Sequence, residues 1–162
     1  MSIEVGAVMS RNVVSASPGD TAINVARQLS THGISAVPVV DRDGTLLGIV
    51  SEGDLMRPFG LAHSLQREWW LGLLAEGTDL APAFADYIRH DLRPVRDLMS
   101  ATVHTVTEHA TLPEVADIML RHHIKRLPVL RDGKVVGIVS RADLVRSFLG
   151  VPAPASALAK LP

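Results

Sequence analysis

Ile124-Lys-Arg-Leu-Pro-Val-Leu-Arg-Asp-Gly-Lys-Val-Val-Gly-Ile-Val-Ser-Arg-Ala-Asp-Leu144 is the stretch whose reading decides the fold. Leu127 to Leu130 and Lys134 to Val139 are short apolar, β-branched runs. Asp132-Gly133 lies between them, a strong hairpin signal because Gly reaches positive φ at little steric cost. The second run enters Ser140-Arg-Ala-Asp143, which reads as a helix start. Ser140 is suited to cap the open amides of the first turn, and Asp143 is an acid within that turn.

The same order of features occurs earlier, from Ile34 to Leu55. Pro38 answers Pro128, Gly44 answers Gly133, and Gly48-Ile-Val-Ser51 answers Gly137-Ile-Val-Ser140. Asp54-Leu55 answers Asp143-Leu144. The offset is 90 residues before the hairpin and 89 after it, so the copies differ by one residue in the turn. Upstream, Val8-Met-Ser10 matches Leu98-Met-Ser100, and Thr21 matches Thr111. Apolar Ala22, Val25, Ala26 and Leu29 follow i, i+3, i+4, i+7 and predict one buried helix face; Leu112, Val115, Ala116 and Met119 repeat it. Gly33 stands where a helix C-terminus wants positive φ. Thr111-Leu-Pro-Glu114 reads as a capping box with Pro113 in the first turn. With Val13-Val14 as the expected first strand, each repeat reads strand, helix, strand, strand, helix.

This ordered set, met twice, resembles a tandem pair of CBS domains, the Bateman module, over residues 5–59 and 95–149. The resemblance implies an α/β (α+β) fold of two β-α-β-β-α repeats packed with pseudo-twofold symmetry, and commonly a homodimer. A repeat of about 60 residues hides only about 60% of its unfolded surface, so the two copies on one chain are expected to pack their sheets face to face.

Residues 60–94 form an insertion longer than the minimal pattern, expected to be helical. Leu65 to Leu74 holds Trp69-Trp70 and a leucine-rich face, and a second helical stretch is expected from Ala81 to Leu92. Packing on the core or on a dimer mate is the first reading of the tryptophans, and a partner groove the second. Membrane contact lacks the Lys/Arg-rich face that it wants. An insertion of this kind is similar to that of CBS pairs that often continue into a BON domain. Here a Pro/Ala-rich stretch, 150–162, follows instead and is expected to be poorly ordered.

Across its 162 residues the chain is 47% hydrophobic, enough for a core, with a formal net charge of −1 that argues against non-specific nucleic-acid binding. With no cysteine there is neither a disulfide framework nor a thiolate site. No signal-like N-terminus and no apolar run of about 20 residues is visible, so the expectation is a cytoplasmic protein without membrane attachment. Catalytic and metal constellations are not apparent. Gly48-Ile-Val-Ser51 lacks the flanking glycines of a nucleophile elbow, His122-His123 point apart on a helix, and His104 and His109 sit apart in a strand-and-turn region.

Binding is better supported. Ser140 and Asp143 place a hydroxyl and a carboxylate at a helix N-terminus, beside open amides that suit an anion. The same spacing is a capping box and needs no ligand to justify it. In CBS domains this position contacts the ribose and phosphate of adenosine ligands, so the resemblance implies ligand contacts at Ser51, Asp54, Ser140 and Asp143. It also implies phosphate contacts from Lys125, Arg126 and Arg141, although Lys125-Arg126 would serve equally as a solvated strand entry. Adenine contacts are expected at the backbone near Val13-Val14 or Thr102-Val103. The first repeat has Ser35-Ala36 and Glu52 in place of the basic residues, which suggests two unequal pockets. The expected function is regulatory sensing of AMP, ATP, an NAD-type dinucleotide or S-adenosylmethionine, with no required cofactor and no catalysis. Its output would pass through a protein partner or a change of oligomer. The alternative is a structural or interaction module whose pockets bind nothing.

Overall fold

The computed structural model describes residues 2–56 and 89–151. Its helices are α1 (Ala22–His32), α2 (Glu52–Met56), α3 (Val95–Leu98), α4 (Leu112–Arg121) and α5 (Arg141–Phe148). Its strands are β1 (Ala36–Val40), β2 (Leu46–Ser51), β3 (Val106–Thr107), β4 (Arg126–Arg131) and β5 (Lys134–Ser140), and a 3-10 turn covers Val5–Ala7. β1 and β2 pair in one sheet; β3, β4 and β5 form another, with β3 parallel and β5 antiparallel to β4. The leucine-rich stretch with Trp69 and Trp70, most of the second helical stretch and the 152–162 tail lie outside the described residues.

The turn chemistry is as the sequence dictates. Asp132 and Gly133 both have positive φ, 52° and 77°, and join Arg131 to Lys134 across a two-residue turn. In the earlier hairpin Gly44 takes φ 84° within a loop one residue longer. Gly33 ends α1 at φ 61°, and its amide donates to the Leu29 and Ser30 carbonyls. Its counterpart ending α4 is His123, a residue with a Cβ held at φ 54°. At the start of α4 the Thr111 amide donates to Glu114 Oε2 at 2.7 Å, one arm of the predicted capping box. That bond holds the Glu114 carboxyl below its ordinary range.

Two expectations need correction. Val13-Val14 is not a strand; the ladder of the first repeat shrinks to one parallel bridge between Ala16 and Val39. The next amide, that of Ser17, is taken by Asp20 Oδ2 at 2.9 Å, which starts the Ser17–Asp20 turn at once. The second helical stretch stops at His90 rather than Leu92. There Asp91 Oδ1 accepts from both the backbone N and Nε of Arg93, and the Arg93 guanidinium keeps the Asp91 carboxyl below its ordinary range.

The compact units do not coincide with the sequence repeats. One comprises the described parts of 1–14, 42–46 and 103–162; the other comprises those of 15–41 and 47–102. They are called here the second-repeat unit and the first-repeat unit. In the second-repeat unit, Val5 and Met9 from the chain's beginning share a core with Val106, Leu112, Val115, Met119, Leu127, Val129, Val139 and Leu144. The Ser10 and Ile138 backbones exchange both hydrogen bonds at 2.9 Å. In the first-repeat unit, α3 supplies buried Val95 and Leu98 alongside Val25, Leu29, Val37, Val39 and Val50. Ser100 and Ile49 exchange the equivalent pair at 2.9 Å.

These backbone approaches explain the glycine of each Gly-Ile-Val-Ser. A Cβ at Gly48 would lie 2.6 Å from Met99 Sδ and 2.7 Å from the Ser100 carbonyl. A Cβ at Gly137 would collide with Met9 Sδ and lie 3.1 Å from the Ser10 carbonyl. The Met-Ser and Gly-Ile-Val-Ser motifs are thus two halves of one contact, each made with the other repeat's copy.

Candidate functional site

In the second-repeat unit, β5 delivers Ser140 to the start of α5. Ser140 is the N-cap, in extended conformation at φ −118° and ψ 165°. Its amide and its hydroxyl both donate to Asp143 Oδ2 at 2.7 Å, and the Asp143 amide donates back to Ser140 Oγ at 3.3 Å. The other carboxylate oxygen, Oδ1, accepts from the Arg146 guanidinium one turn further on. The Asp143 side chain is 12% exposed.

The ladder sets the surroundings. Arg126 stands directly opposite Ser140 in the β4–β5 register, half-buried. Lys125 is exposed and gives its carbonyl to the Arg141 amide at 3.0 Å. Sequence spacing alone did not reveal that Arg141 also directs its Nε to the Ile124 carbonyl at 3.1 Å, which ties the helix start to the strand entry. Lys125, Arg126, Ser140, Arg141 and Asp143 are therefore brought together at one strand-to-helix corner. Val103 is half-buried in the same unit, ahead of β3, whereas Thr102 belongs to the first-repeat unit, where its carbonyl accepts from Ser100 Oγ at 3.3 Å.

The first-repeat unit has the same corner. Ser51 donates its amide at 2.9 Å and its hydroxyl at 3.1 Å to Asp54 Oδ2, and receives the Asp54 amide at 3.3 Å. Asp54 is 4% exposed, more deeply set than Asp143. The Glu52 amide donates to the Ser35 carbonyl at 2.9 Å, the counterpart of the bond from Arg141 to Lys125. The backbone is thus equivalent in the two corners while the flanking charge is opposite, cationic in the second and acidic at Glu52 in the first.

Among the described residues no group of three His, Cys, Asp or Glu side chains is placed to hold a metal ion. His104 stacks on His122 with ring centroids 3.7 Å apart, a contact that residue spacing does not reveal. His109 pairs instead with Glu4 at 3.1 Å. An open cleft of about 500 Å³ lies along β3 and the start of α4, lined by residues that include Val106, His109, Glu114 and Asp117. It contains none of the corner residues. Its polar groups are already engaged, Glu114 by Thr111 and Asp117 by Arg121.

Two small sheets with α/β corners, an internal repeat and capped Ser-x-x-Asp sites define a tandem α+β module. The CBS domain model matches residues 5–59 and 95–150, more than half of the sequence, and the chain belongs to the CBS-domain family. An uncharacterized protein of Methanopyrus kandleri is 30% identical over 90% of this chain, which spans 62% of that relative's length. An uncharacterized protein of Methanocaldococcus jannaschii is 31% identical over 78% of this chain and 80% of its own. Among solved structures, that of CBSX2 in complex with AMP is 26% identical with a TM-score of 0.67, covering 91% of this chain and 96% of that one. None of the described helices is long and apolar enough to cross a membrane.

Proposed function

We propose that this CBS pair is a non-catalytic sensor of an adenosine-containing ligand, with its principal pocket at the Ser140/Asp143 corner. The observation that carries the reading is the convergence of Lys125, Arg126 and Arg141 on a corner that also offers a carboxylate and a helix N-terminus. The AMP complex of the related CBSX2 supports the ligand class. In this reading Asp143 accepts the ribose hydroxyls and Ser140 faces the phosphate. Arg126 and Lys125 supply its counter-charge, since a guanidinium fork grips phosphate bidentately. Arg141 contributes from the guanidinium nitrogens beyond Nε. Val103 offers backbone to the base. Ser51 and Asp54 form the second, weaker pocket, where Glu52 disfavours an anion. The protein acts in the cytoplasm as a homodimer and passes its state to a protein partner. AMP and ATP lead the ligand candidates, ahead of NAD-type dinucleotides and S-adenosylmethionine.

The test is a thermal-shift panel of these ligands followed by calorimetry, since a ligand that binds the folded state raises Tm with its concentration. Asp143→Asn should lower affinity about tenfold or more, the value of a lost charge-assisted hydrogen bond of about 1.5–3 kcal/mol. A variant that melts normally and binds with full affinity would reduce the Ser140/Asp143 pair to a cap.

One observation favours the alternative, a module of structure or interaction. The Ser140, Asp143 and Arg146 groups satisfy one another without any ligand. If no ligand in the panel moves Tm, that reading holds.

A further inference from the structure

The proposed ribose site has a competitor built into its own helix. Asp143 Oδ2 already accepts from the Ser140 amide and hydroxyl, both at 2.7 Å. Two such bonds occupy the two lone-pair directions of that oxygen. Any further donor must come to Oδ1. That oxygen holds the guanidinium of Arg146, an i, i+3 ion pair along α5. With the Asp143 side chain 12% exposed, there is little room for a second approach. The Arg146 side chain is 34% exposed, so its head can return to water when displaced. The spacing recurs in the first repeat, where Arg57 follows Asp54 by three residues. Arg57 itself lies outside the described residues.

We propose that Arg146 competes with the ligand for the Asp143 carboxylate, so that binding at this corner exchanges an intramolecular ion pair for the ribose hydroxyls. This rests on the adenosine reading given above. It adds a residue that sets affinity without touching the base or being needed for phosphate. A partly exposed ion pair is a weak lock, in the range measured for surface pairs. It therefore tunes affinity by a small factor and does not close the site. Because the pair is electrostatic, salt loosens it.

Adenosine is the probe, because it carries the ribose without a phosphate and is uncharged. Calorimetry compares wild type, Arg146→Met, Arg146→Gln and Asp143→Asn, each confirmed to melt cooperatively, at low salt and at about 0.5 M salt. The Met and Gln variants should bind adenosine about two- to fivefold more tightly than wild type. Salt should raise the wild-type affinity and leave that of Arg146→Met unchanged. Binding by Arg146→Met alone, with wild type too weak to detect, would also support the competition. Equal or weaker binding by both Arg146 variants, with binding abolished in Asp143→Asn, overturns the competition and leaves the ribose assignment standing. Binding that is indifferent to Asp143→Asn, or absent throughout, overturns both.

Discussion

His123 shows how one side chain departs from its own repeat. Gly33 and His123 end corresponding helices at φ 61° and 54°, but only glycine reaches that region free of Cβ strain. The second repeat tolerates the strain because the chain must still turn there: the His123 amide reaches the Leu120 carbonyl at 3.4 Å and the Ile124 amide reaches that of Met119 at 3.0 Å. His123→Gly should therefore stabilise the protein by up to about 1 kcal/mol, raising Tm by about 2–4 °C in a melting experiment. An unchanged or lower Tm would mean that the histidine side chain stabilises the turn by as much as its backbone strains it. The Glu108 carboxylate shows the opposite case, a side chain fully matched to its place. Arg131 grips both its oxygens at 2.7 Å, and chiefly for that reason its carboxyl stays below the ordinary range.

Among the elements, α4 and α5 each have a face that the second-repeat core does not use. The buried stripes are Leu112, Val115 and Met119 on α4 and Leu144 on α5. Beside them Leu120 is 68% exposed, Phe148, one turn on from Leu144, 67%, and Leu149, just past α5, 72%, with Val145 also exposed. Large apolar side chains left exposed on two neighbouring helices are what an association surface requires. This is the face we assign to the proposed homodimer. Phe148→Glu places a charge where the mate would sit, and should shift the mass by light scattering from dimer to monomer at micromolar concentration. A wild type that is already monomeric, or a variant that still dimerises fully, would remove this face from the interface.

The whole molecule is organised by exchange: residues 5–10 complete the unit of the second repeat and residues 95–100 that of the first. Val5 is fully buried and Met9 nearly so. Burying each is worth about 1.5–3 kcal/mol, a large share of a typical stability of about 5–15 kcal/mol. Deleting residues 2–10 should therefore cost several kcal/mol, with the damage far along the chain. Hydrogen exchange should show lost protection in α4, β4 and β5, while α1 and β1 are comparatively spared. Protection lost first from α1 and β1 would mean that the N-terminal segment serves its own repeat.

The sequence by itself determined what is decided locally, both hairpins, the capping boxes and the apolar helix faces, and the recurrence of that order marks the family. Asp132-Gly133, Thr111-Glu114 and Ser140-Asp143 act on their own backbone, so spacing suffices to read them. What the tertiary structure alone decided lies between distant segments. Met9-Ser10 and Met99-Ser100 are chemically equal partners for Gly48 and Gly137, so no pattern could say which would meet which. Arg141 and Arg146 are both cations of α5, yet one bonds the Ile124 carbonyl ahead of β4 and the other the Asp143 carboxylate. Those assignments depend on where a long side chain finds an acceptor once the chain has folded, and residue order does not encode that distance.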